Sequence, residues 1–113
     1  MSKEINELQK LIIQFRDNRD WKQFHKIKDL LIALNIEVSE LQELFLWKSD
    51  PEIEAVNREK IEEEIADIFI YLTYICNEYD VDLEEIVKRK IIKNNQKYPI
   101  EKSKGSNKKY NEL

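Results

Sequence analysis

The chain has 113 residues, 42% of them hydrophobic and 37% charged, with one glycine, two prolines, one cysteine and a formal net charge of −4. That length suits one domain that buries about two-thirds of its unfolded surface, and the scarcity of turn-forming residues favours long amphipathic helices over β folds. The modest total hides a division, because residues 1–86 carry 10 basic against 21 acidic side chains whereas 87–109 carry 9 basic ones and Glu101 alone. A uniformly basic nucleic-acid binder does not look like this.

Such a split suits an acidic body that holds a cation and a basic arm that holds an anion; the bland alternative is a helical bundle with a solvated basic tail. No apolar run exceeds five residues, so neither a membrane span nor a signal-peptide core is expected, and the protein reads as soluble and cytoplasmic. Cys76 sits in an apolar run and reads as buried packing, not as a redox or metal site.

In chain order, Ser2 can cap a first helix whose Ile5, Leu8, Ile12 and Phe15 fall at helical spacing, until "RDNRD" breaks it. A connection with Trp21, Phe24 and His25 leads into a long helix from about Ile27 to Trp47. Asp50 before Pro51 reads as an N-cap with proline at the first helical position. A charged segment follows, and then an apolar helix from Glu59 to about Tyr79. Asp82 and Glu85 stand three apart as in a capping box and open the last helix, which must stop by Tyr98 because Pro99 disfavours helix before it. The expected fold is all-α and four-helix bundle-like, with one domain over residues 1–100 and a basic, mobile tail over 101–113.

Two stripes carry acids where apolar residues belong. In the second helix Leu30, Leu34, Leu41 and Leu44 form a seam whose missing member is Glu37, and Glu40 lies three residues on, on the neighbouring row. In the third, a seam of Ile61, Ile65, Ile68, Leu72 and Ile75 runs beside a row of Glu64, Asp67, Tyr71 and Tyr74. Gathering four carboxylates inside a bundle raises their pKa values and destabilises the fold unless something compensates. The two inner faces offer no Lys or Arg nearby, whereas Mg²⁺ prefers oxygen ligands and tolerates retained waters. Glu37, Glu40, Glu64 and Asp67 are therefore expected to face one another around magnesium, with Mn²⁺ able to substitute. A ferritin-like di-iron centre would require Glu-x-x-His on two helices, and His25, the single histidine, follows Lys22 at that spacing.

"EVSELQELFLW" followed by "EEEIADIFIYL" resembles the all-α nucleoside triphosphate pyrophosphohydrolases of the MazG-like type, whose signature is ExxE, a spacer, then ExxD; the spacer here is 23 residues. "RDWKQFH" and "KIIKNNQKYP" extend the likeness to the dCTP pyrophosphatase-like subgroup, over Phe15 to Tyr110. The resemblance implies hydrolysis of a nucleoside triphosphate, with a pyrimidine deoxynucleotide such as dCTP favoured, to monophosphate and pyrophosphate. It implies Mg²⁺ on the same four acids. The resemblance leaves open which carboxylate is the general base, and a glutamate of the first pair, contacting the water and not saturated by metal, is the favoured one.

Lys90, Asn94 and Lys97, at spacings of four and three with Tyr98 adjoining, match the family's phosphate-contacting residues. Lys109 and Tyr110 resemble a tail motif that closes over the phosphates. Trp21, His25 and Trp47 are candidates for holding the base by stacking and hydrogen bonding, although both tryptophans could instead pack between helices. The subgroup also implies a homotetramer of paired dimers with sites shared between chains. The competing readings are a non-catalytic oligomerisation module, which would need no metal, and a nucleotide-binding regulator without turnover. The single glycine, Gly105, excludes a P-loop.

Overall fold

Helical spacing of apolar residues and well-formed caps give the chain an all-α structure, described for residues 3–113 in a computed structural model. It comprises α1 (Lys3–Asn18), a 3-10 turn (Lys22–Phe24), α2 (Ile27–Glu43), α3 (Asp50–Glu54), α4 (Arg58–Tyr79), α5 (Leu83–Lys97), α6 (Ile100–Ser103) and a 3-10 turn (Tyr110–Glu112). No helix among the described residues is long and apolar enough to cross a membrane. The chain divides into two compact units, Lys3–Asp80 and Val81–Leu113.

In the first unit α2 lies along α4, and α1 packs on α4. Its core is Ile12, Leu30 and Tyr74, one residue from each long helix, with Ile13, Phe69, Ile70, Tyr71 and Ile75 packed around them. The α2 seam is as its spacing predicts: Leu30 is buried, and Leu34, Leu41 and Leu44 are half-buried. On α4 the prediction is corrected. Ile65 is 53% exposed, and the helix buries Thr73, Tyr74 and Cys76 most deeply, so the inward face is rotated toward the neighbouring row. Cys76 is buried and free, as its surroundings imply.

Several ends differ from expectation for local reasons. The expected Ser2 cap lies outside the described residues. α1 runs through Asn18 and ends where Asp20 takes a left-handed φ of 53°. α2 stops at Glu43, not Trp47, as the chain passes into turns and Trp47 adopts a φ of 63°. Ser49, not Asp50, caps α3: its backbone N–H and its hydroxyl both donate to Glu52 Oε1, at 3.2 and 2.8 Å. Asn57 caps α4 by accepting from the Lys60 N–H at 3.2 Å.

In the second unit Asp82 caps α5, its Oδ1 accepting from the Glu85 N–H at 3.0 Å, and the helix stops at Lys97 ahead of Pro99. After Pro99 comes the turn of α6, where the Ser103 hydroxyl donates to the Tyr98 and Pro99 carbonyls. The unit ends in the turn at Tyr110, whose ring meets Tyr98 edge-on at 6.2 Å.

Candidate active site

Because α2 lies along α4, Glu37 and Glu40 meet the acid row of α4. One carboxylate oxygen each from Glu37, Glu40 and Glu64 come within 4.8 Å of one another, and all three side chains are half-buried. Asp67, one turn beyond Glu64, stands outside that triplet but within electrostatic range of Glu37 and Glu64. The convergence expected of the first three acids is thus present, and Asp67 borders it.

Bringing these carboxylates together is electrostatically costly. Burial, then shared hydrogen bonds with Glu64 and Glu40 and the charges of Asp67 and Glu40, push the Glu37 carboxyl up to about 7 from 4.5. Burial raises Glu64 as well, against the hydrogen bond it accepts from Glu37. The cluster therefore keeps a proton that separate carboxylates would release. Tyr71, one turn along α4 from Asp67, is raised by burial and by Glu37, Asp67 and Glu40. Tyr71 lies in the acid row of α4, and its spacing of four from Asp67 is the one sequence signal that it borders the cluster.

Whether these residues suit a metal can be judged from two orphaned atoms: Glu37 Oε2 and Glu64 Oε2 are buried without a hydrogen-bond partner. Buried oxygens in that state carry a desolvation cost that either a proton or a cation relieves. The donor set is entirely carboxylate oxygen, which fits a hard divalent ion of the magnesium class and not a soft one.

The other expected site residues fall into three places. Trp21 is partly exposed and meets Phe15 edge-on at 5.7 Å, with Arg19 over both rings. His25 lies against Tyr74 at 4.6 Å, and Tyr74 in turn meets Tyr71 at 5.8 Å. Aromatic contacts thus run from His25 to the edge of the acid cluster. Trp47 does not pack between helices of its own chain: it is 92% exposed. Its left-handed backbone is unfavourable for so bulky a residue, and such strain is concentrated at functional sites. In the second unit, Lys97 Nζ sits 5.0 Å above the Tyr110 ring, and Tyr98 adjoins that ring. Lys90, Asn94 and Lys109 are exposed.

Comparison with known proteins places this arrangement among relatives. The profile of the MazG-like family matches residues 32–113. The chain is 40% identical over 114 aligned residues to dCTP pyrophosphatase 1 of Rattus norvegicus, an alignment spanning 96% of this chain and 67% of the relative. The corresponding identity to dCTP pyrophosphatase 1 of Homo sapiens is 38%, over the same shares. Among solved structures, a pyrophosphatase from Archaeoglobus fulgidus superposes with a TM-score of 0.80 at 40% identity, covering 88% of this chain and 95% of that one.

Proposed function

The chain belongs to the MazG-like family, and from that membership and its acid cluster we infer that it is a divalent-metal-dependent nucleoside triphosphate pyrophosphohydrolase. Its substrate is a deoxynucleoside triphosphate of the dCTP class, converted to the monophosphate and pyrophosphate. The relatives' activity supports the reaction type, and the observation that carries the reading for this chain is the convergence of Glu37, Glu40 and Glu64 oxygens, beside which Glu37 and Glu64 each bury a carboxylate oxygen without a hydrogen-bond partner. We read residues 1–100 as one MazG-like domain followed by a basic tail over 101–113, the family profile running from residue 32 through that tail.

Glu37, Glu40, Glu64 and Asp67 would hold Mg²⁺, with Mn²⁺ as a substitute. When bound, the metal supplies neutralisation of phosphate charge and activation of water. The protein's own carboxylates do the rest: a glutamate of the Glu37 and Glu40 pair takes the proton of the attacking water. As the water oxygen bonds to the α-phosphorus, the bond to the β-phosphate oxygen breaks and pyrophosphate leaves with that electron pair. No protein nucleophile is required.

Lys90, Asn94, Lys97, Tyr98, Lys109 and Tyr110 are proposed to bind the triphosphate. Lys97 is supported by its seat on Tyr110, which orients the ammonium. Trp21, His25 and Trp47 are proposed to hold the base; the exposed, left-handed Trp47 presents a whole indole face for stacking.

A homo-oligomer, a tetramer of paired dimers, accounts for the apolar surface this chain leaves uncovered. A groove of about 580 Å³ between α1 and α4 is lined by Leu8, Leu11, Phe15, Ile65 and Phe69 among others. This open apolar groove is the face we assign to a second copy of the chain. We place the assembly in the cytoplasm.

The deciding experiment is a panel of common and modified nucleoside triphosphates incubated with Mg²⁺, with monophosphate and diphosphate products resolved. Release of monophosphate and pyrophosphate, fastest for a cytosine deoxynucleotide, is expected. No turnover of any member would favour the non-catalytic module.

A further inference from the structure

Arg16 is 3% exposed, yet it occupies a position on the apolar stripe of α1 where Ile5 and Ile12 precede it. A buried guanidinium is costly unless paired, and a large apolar residue would fill the same place at less cost. Its pairing here is specific but lean. Nη1 donates to Asn77 Oδ1 on α4 at 2.8 Å, while Nε and Nη2 both reach Asp17 Oδ1 at 2.9 Å. Packing alone does not call for this charge.

What surrounds it is the segment that carries Trp21 and His25. The Arg16 carbonyl accepts from the backbone N–H of both Arg19 and Trp21, each at 3.2 Å, so the same residue closes α1 and starts the connection. Asp20 makes the reversal between them with its left-handed φ of 53°. The connection then returns to α4, where the His25 ring lies on Tyr74 at 4.6 Å and 43°. Tyr74 precedes Asn77 by one helical turn. Arg16 thus clamps the same stretch of α4 that seats the imidazole.

We propose that Arg16 is a positioning residue for nucleobase recognition, its side chain tied to Asn77 and its carbonyl holding the start of the Trp21–His25 connection, so that the imidazole is seated on Tyr74. The proposal rests on the base-holding role given to Trp21 and His25 above. The groups that face His25 are Arg16 from α1 and Tyr74 and Glu78 from α4. Burial, followed by the Arg16 charge, lowers the His25 pKa, and Glu78 opposes this only in part. His25 Nδ1 is buried without a hydrogen-bond partner. A neutral ring offers one donor and one acceptor, whereas an imidazolium offers two donors. The arginine therefore also keeps the pattern that a base would meet.

His25 is the single histidine of the sequence, so its imidazole resonances can be followed by NMR in this 113-residue chain without assignment ambiguity. In wild type the ring should titrate below 6.5 and show a ring-current shift from Tyr74. Arg16→Met should raise the midpoint and diminish the ring-current shift. It should also raise KM for dCTP about fivefold with kcat changed less than twofold, the size expected for one lost anchoring hydrogen bond. Arg16→Lys, which keeps the charge, should restore the low midpoint, and it should recover the base preference in part.

If Arg16→Met does not fold, Asn77→Ala removes the anchor from the exposed side and should reproduce the loss of ring-current shift and the rise in KM. A folded Arg16→Met or Asn77→Ala protein with an unchanged His25 spectrum and unchanged preference among bases overturns the proposal. His25→Ala separates the two layers. Unaltered base preference in that variant sinks the base-holding reading itself, whereas the imidazole titration in Arg16→Met reports on the positioning regardless.

Discussion

Replacing Glu37 by glutamine tests the acid cluster through stability and turnover at once. In the metal-free protein the Glu37 carboxyl keeps its proton up to about 7, against 4.5 when unfolded. Between those values the folded state binds a proton that the unfolded state has lost, so stability falls as pH rises through this window and levels off above it. At about 1.4 kcal/mol per pH unit the full difference is about 3 kcal/mol, and solvent reaching the half-buried carboxyl reduces it to about 1–2 kcal/mol.

Glutamine keeps the shape and lacks the charge. In a chelator, Glu37→Gln should match wild type near pH 4 and exceed it at pH 8 by about 1–2 kcal/mol, a rise of about 5 °C in Tm for a domain of this size. Saturating Mg²⁺ should reverse the order at pH 8: a ligand at one hundred times its Kd adds about 2.7 kcal/mol to wild type, and the variant, short of one ligand, gains less. Thermal or urea unfolding at fixed protein concentration, across pH and with and without Mg²⁺, measures both arms. A Glu37→Gln protein less stable than wild type at pH 8 in chelator, or a difference that ignores pH, refutes the reasoning.

Glu40→Gln and Asp67→Asn should each lower turnover at least about a hundredfold, the scale of losing a metal or proton-transfer group, with helical circular dichroism retained; undiminished pyrophosphate release by either variant removes that residue from the machinery. Lys97→Ala should raise KM about tenfold with little change in kcat, as loss of one charge-assisted phosphate contact does, and equal affinity for a non-hydrolysable triphosphate before and after would contradict its role. Leu11→Glu, on the wall of the α1 and α4 groove, should shift the particle to a smaller assembly in light scattering, because it introduces an unpaired charge into a surface expected to be covered. An unaltered mass would show that this groove is not where subunits meet.

The two acid stripes illustrate how far periodicity reaches. On α2 the stripe through Leu30, Leu34, Leu41 and Leu44 is interrupted once, so its inward direction was legible and Glu37 was recognisable as an acid in an apolar place. On α4 apolar side chains occupy several neighbouring rows, and the period of 3.6 fits more than one inward face. Ile65 shares the apolar spacing of the α4 seam yet lies 53% exposed for that reason, while Thr73 and Tyr74 are the deepest on α4. Helix ends followed local chemistry where one residue dominated, as with Asp82 and Pro99. They did not where two candidates stood side by side, as with Ser49 and Asp50.

Sequence by itself determined the all-α class, the existence and type of the long helices, the acids that interrupt their seams, and the segregation of negative from positive charge, because each is a property of spacing and composition along one chain. The tertiary structure decided that three glutamates converge, that Asp67 borders them, that Trp47 projects outward from a left-handed turn, and that a buried arginine of α1 reaches Asn77 on α4. Those facts depend on how one helix is rotated against another. Distances of a few ångströms across α2 and α4 have no signature in either helix taken alone.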